Sequence, residues 1–145
     1  MKKVLFTLAL LGWIASLTVH LSSLDGSDIS KEYPIVMALH AGVFVVFIPM
    51  IFYLKKDETY QLFQKSELSI RMNPVKQFKV LFRNTPPLLK LIALGGMIYV
   101  FVNFFLSMGV SPAEMNMTRM FSGHWLCFYG LAVGVLYPFK RAVAL

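Results

Sequence analysis

The sequence predicts an all-α polytopic membrane protein: a four-transmembrane-helix bundle with a cytoplasmic interfacial amphipathic helix, forming one integral domain over residues 1–145. Three observations carry this. The chain is 57% hydrophobic and 14% charged, where soluble domains are roughly 45–50% apolar and about 25% charged. Its charge is crowded between four long apolar runs. Its basic residues gather on one side of those runs, as the positive-inside rule requires.

A helix needs about 20 apolar residues to cross the hydrocarbon core. Runs 4–24, 34–54, 88–110 and 120–139 qualify. None contains Asp or Glu, and the basic Lys90 sits near the start of the third, where its stem can snorkel to the interface. The first run follows Lys2-Lys3, which also suits a signal peptide. Its apolar stretch reaches Val19, however, beyond the usual h-region of about 7–15 residues. No A-x-A site follows in His20-Leu21-Ser22-Ser23-Leu24-Asp25. A retained signal anchor is expected.

One side of the spans carries twelve basic residues against Asp57, Glu58 and Glu67; the other carries Lys31 and Arg119 against Asp25, Asp28, Glu32 and Glu114. This places both termini in the cytoplasm and the chain in a plasma membrane, the bacterial inner membrane by expectation. The net charge of +7 is thereby topological, and nucleic acid is not an expected partner. A single cysteine, Cys127, excludes an intrachain disulfide and any zinc-finger spacing.

The short outer connection 25–33 makes the first two helices antiparallel neighbours, and Pro34 suits a first helical turn. The second outer connection, 109–118, contains Ser111-Pro112-Ala113-Glu114, a capping-box pattern. The inner segment 57–85 is longer. After Asn73-Pro74, residues 75–83 put Val75, Phe78, Leu81 and Phe82 on one face and Lys76, Lys79 and Arg83 on the other. That pattern predicts a basic helix lying on anionic membrane lipid. Pro49 inside the second span is expected to kink it.

The polar residues of the spans share one depth. His20, His40, Asn103 and His124, one per helix, lie roughly 6–10 Å below the outer boundary at the rise of an α-helix. Polar groups in hydrocarbon must be satisfied, so these are expected to face inward. Tyr99 lies one turn from Asn103, and Cys127 one turn from His124. Gly12 and Ser16 precede His20 at four-residue steps. Gly123, Cys127, Gly130 and Gly134 make a small-residue stripe, with Gly130/Gly134 a GxxxG pair suited to close packing or a membrane partner.

Three readings follow. The polar residues can be hydrogen-bonding glue between helices. They can hold haem b, with His40 and His124 as the metal ligands, His20 as alternate ligand or propionate partner, Asn103 in the same layer, and Arg119 and Lys31 at the propionates. In helix count and histidine placement the arrangement resembles small four-helix cytochrome-b-type membrane proteins, a likeness of fold. Third, Met108, Met115, Met117 and Met120 with imidazole and thiol suit Cu(I), although Met is also an ordinary apolar filler. A non-catalytic accessory or assembly subunit is the alternative to a redox-associated, cofactor-binding protein. Enzyme signals are thin, because no carboxylate lies in the membrane and no Ser–His–Asp set is visible. Trp125 and Tyr33, Tyr53 and Tyr137 fall where an interface belt is expected, while Trp13 lies deeper. Asn116-Met117-Thr118 matches a glycosylation sequon too close to the membrane to weigh.

Overall fold

The computed structural model describes residues 1–56, 85–107, 110–111 and 116–141, with Gln61, Val75 and Phe82. Every element among them is helical. Helix α1 is Lys2–Ser22 and the short α2 is Ile29–Glu32; a 3-10 turn, Pro34–Met37, leads into α3, Ala38–Lys56; α4 is Pro87–Ser107 and α5 is Met117–Arg141. Four of these stretches are long and apolar enough to cross a membrane, and the protein is a multi-pass membrane protein. Helix bounds agree with the apolar runs to within about a turn, as expected of helix ends. The residues expected to form the interfacial helix and the Ser111–Glu114 cap lie mostly outside the described residues. Pro49 stands within α3, which continues through it.

Helix α5 is the axis of the bundle. It packs against α1, α3 and α4, while α1 and α3 also pack on each other and α4 rests chiefly on α5. Buried residues mark each seam: Leu5, Ala9, Gly12, Ser16 and His20 on α1, and Val43, Val46, Met50 and Leu54 on α3. Both series step by three or four residues, the spacing of one helix face. Lipid is as apolar as leucine, so helices associate here through close packing and hydrogen bonds.

The tightest of this packing is an aromatic ring seated on a glycine. Tyr129 of α5 lies over Gly12 of α1 and reaches Gly42 of α3, where a Cβ would overlap its ring or hydroxyl. Its hydroxyl donates to the Leu39 carbonyl at 2.9 Å, so one side chain ties three helices. Trp13 covers Gly130, at 3.3 Å from where a Cβ would stand, and Phe82 fills the space over Gly134. Thr85 adds a bond from its hydroxyl to the Gly134 carbonyl at 3.0 Å. The glycine pair of α5 therefore receives rings of its own chain.

The two ends of the bundle differ. At the basic end, where the chain starts, the Lys2 ammonium stands 4.6 Å from the Tyr53 ring centre, and Phe6 meets Tyr137 at 6.3 Å. At the acidic end, α1, α2 and the start of α5 are joined by a roof of short polar side chains.

Candidate functional site

The roof begins with backbone needs. Gly26 turns the chain after α1 with φ of +92°, a conformation glycine adopts without cost. Asp25 accepts the Ser27 amide at 2.9 Å, an Asx-turn. Asn116 caps α5: its side-chain oxygen accepts the Arg119 amide at 2.9 Å, as an N-cap residue does. Its amide nitrogen donates to the Ser27 carbonyl at 3.0 Å, pinning the first connection to α5. That nitrogen is the atom a sequon would glycosylate, and it is engaged.

Asp28 is the centre of the roof. It accepts the hydroxyl of Thr118, the hydroxyl of Ser30 at 2.7 Å and the Thr118 amide at 3.2 Å. Its second oxygen faces the Lys31 ammonium at 3.2 Å. Burial acts to raise the Asp28 pKa, but the Thr118 and Ser30 hydroxyls, Lys31 and the Thr118 amide outweigh it and hold the carboxyl well below the usual carboxylate range.

Below the roof lies His20, buried on α1. Its Nδ1 is 2.8 Å from the Ser122 hydroxyl of α5, and its Nε2 is 2.6 Å from the Tyr99 hydroxyl of α4. The direction of each bond follows from its partners. Ser122 gives its only proton to the Thr118 carbonyl at 2.6 Å, so it accepts from His20 Nδ1–H. Neutral imidazole carries one proton, so Nε2 accepts from the Tyr99 hydroxyl. Tyr99, His20, Ser122 and Thr118 thus form a chain of donors all pointing one way. It ends on the Thr118 carbonyl, which accepts a hydrogen bond and cannot pass a proton on. Asn103 is half-buried beside Gly123, its amide nitrogen 3.6 Å from where a Cβ would stand, with Tyr99 at the same distance. His20, Tyr99, Asn103 and Ser122 are therefore brought together.

The other two histidines are placed differently. His40 is exposed on the flank of α3. Its Nδ1 accepts the Trp125 indole N–H at 3.1 Å, and its ring meets Phe44 and Phe121 edge-on, each at 5.7 Å. His124 is half-buried and bonds through Nδ1 to the Met120 carbonyl of its own helix at 2.7 Å. Of the four residues expected to face inward, His20 does so fully and Asn103 and His124 in part, while His40 is exposed and meets the interior only through the ring edge bonded to Trp125. The reason is the seam of α3: its buried ridge runs through Val43, Val46 and Met50, and His40 lies at its edge. Trp125 corrects the interface-belt expectation. It is 1% exposed, stacked on Phe121 at 6.3 Å and 14°. Arg119 is exposed at the roof.

Among the described residues, no three His, Cys, Asp or Glu side chains converge as a metal cluster. Sequence reasoning overlooked Ser122, Thr118 and Asp28. Thr118, Ser122, Trp125 and Tyr129 recur at steps of three or four, a stripe that a search for buried polar residues along one face would have found.

No family model, curated protein or solved structure matches this chain.

Proposed function

We propose that this protein is a non-catalytic accessory subunit of a membrane assembly, set in a bacterial inner membrane with both termini cytoplasmic. One observation carries the reading: α4 is attached to the rest of the chain chiefly along α5 and turns Leu91, Leu94, Ile98, Phe101, Val102, Phe104, Phe105 and Leu106 outward. Bulky side chains around most of a spanning helix offer area for a second membrane protein. This moves the expected partner surface from Gly130 and Gly134, which Trp13 and Phe82 occupy, to α4. The test places a photo-crosslinking amino acid at Phe101 or Phe105, and at Ile14 of α1 as control, in native membranes. Protein adducts at the α4 positions but not at Ile14 are expected; lipid adducts alone would overturn the reading.

A second reading, haem b, has a specific observation behind it. The bond from His124 Nδ1–H to the Met120 carbonyl leaves Nε2 with its lone pair, the form that ligates metals. The proposed partner ligand, His40, accepts at Nδ1 from Trp125 and so carries its proton on Nε2. Both nitrogens of His20 are engaged. Bis-histidine ligation therefore requires the Trp125–His40 bond to break. An absorption spectrum and metal analysis after expression with haem and copper supplied decide it: a Soret band lost in His124→Leu would establish haem.

A further inference from the structure

Helices α3 and α4 both pack on α5 and scarcely touch each other, so a strip of α5 is left between them as the floor of a groove. Phe121 and Phe128 of α5 meet α3, through His40 and Phe47 respectively. Gly123 and Cys127 of α5 meet α4, through Asn103 and Gly96. With about 100° per residue, His124 falls between these two ridges and so points along the floor of the groove. His40 and Phe44 stand on its α3 wall; His40 is exposed and Phe44 is 55% exposed.

The two imidazoles present opposite hydrogen-bonding characters. An indole N–H can only donate, so Trp125 fixes His40 Nδ1 as an acceptor and leaves Nε2–H as the free donor of an exposed residue. A carbonyl can only accept, so Met120 takes the Nδ1–H of His124 and leaves Nε2 as an acceptor. A donor exposed to hydrocarbon is costly without a partner, which favours a molecule that brings an acceptor to this level. The Phe44 and Phe121 rings stand around it, as aromatic edges do around a flat ring.

We propose that this groove binds the head group of a membrane quinone. One oxygen of the ring accepts from His40 Nε2–H in either oxidation state; in the quinol, a hydroxyl donates to His124 Nε2. A phospholipid ester accepts from His40 but has no proton to give His124, so it uses only half of the site. The inference does not rest on the accessory-subunit reading.

The test uses full-length protein in phosphatidylcholine nanodiscs, with Trp13→Phe leaving Trp125 as the fluorophore. Titration with decyl-benzoquinone should quench Trp125 and saturate, and the quinol should compete. Loss of one hydrogen bond should weaken binding of both forms by roughly tenfold in His40→Leu. His40→Gln, which can accept from Trp125 and still donate, should stay within about threefold of the parent. His124→Leu should weaken the quinol by roughly tenfold and the quinone hardly at all. Quenching that rises without saturation, as simple partition into lipid does, would overturn the proposal. So would equal affinity of the His40→Leu and parent proteins, or a His124→Leu loss that is the same for quinone and quinol.

Discussion

Helices α4 and α5 are both apolar spans of similar length, yet 11% of the α4 span is buried inside the bundle against 56% of the α5 span. Helix α5 is the less apolar of the two, and small residues on its buried face let neighbouring helices close on it. Helix α5 carries Gly123, Gly130, Ala132 and Gly134 among its buried residues, and rings from α1 and from Phe82 enter where those side chains are missing. Helix α4 has Gly95 and Gly96, but none of the described residues lies within 4 Å of the space over Gly95. In a membrane, apolarity decides that a helix spans; small residues that meet a ring decide where it sits.

The sharpest way to break this comparison is to fill an occupied notch. Gly12→Leu would drive a side chain into the Tyr129 ring, and overpacking of this kind costs about 1–3 kcal/mol or more; we expect a loss of about 3 kcal/mol in reversible unfolding from mixed micelles. Replacing Asp28 by Ala strands the Thr118 and Ser30 donors at the head of α5, and bonds to a charged group are worth about 1.5–3 kcal/mol. A loss of about 2 kcal/mol at neutral pH is expected in the same assay.

The Asp28 roof also predicts a pH dependence. Its folded pKa is depressed, so its stabilisation is fully present above the ordinary carboxylate value of about 3.9. It is lost as the pH falls from there through the lower folded value. Asp28→Asn should flatten this acid limb of the stability curve; an unchanged limb would mean that another carboxylate sets it.

Tyr99→Phe removes the hydroxyl through which α4 reaches α1. Interhelical hydrogen bonds in membranes average about 0.6 kcal/mol and reach about 1.7, and a double-mutant cycle with His20→Leu should return a coupling in that range. Smallest of all is Gly95→Ala. It meets open space, so it should be neutral or stabilise α4 by up to about 1 kcal/mol through helix propensity. A clear destabilisation would show that α4 has a close neighbour over Gly95.

The spans were legible because the hydrocarbon core admits only long apolar helices, whatever their packing. The α1 seam was legible too, since Gly12, Ser16 and His20 recur on one face and all are buried. Depth, however, is set by position along a helix, whereas direction is set by which ridge its neighbours choose. His20 and His40 share a level but not a destination: one is enclosed by Tyr99 and Ser122, the other left at the edge of the α3 ridge. Asp28 was passed over because it lies outside any apolar run, where an acidic residue reads as ordinary loop charge. Its partners Ser30 and Thr118 are 88 residues apart in sequence, and no local pattern joins them.

Tyr129 touches α1 at Gly12 and α3 at Gly42. During assembly, α5 is made after α1 and α3, so that pair must wait with both notches open. The fit of one phenol ring then sets the register of three helices at once, and a chain cut short before residue 129 would have its first two spans without the wedge that aligns them.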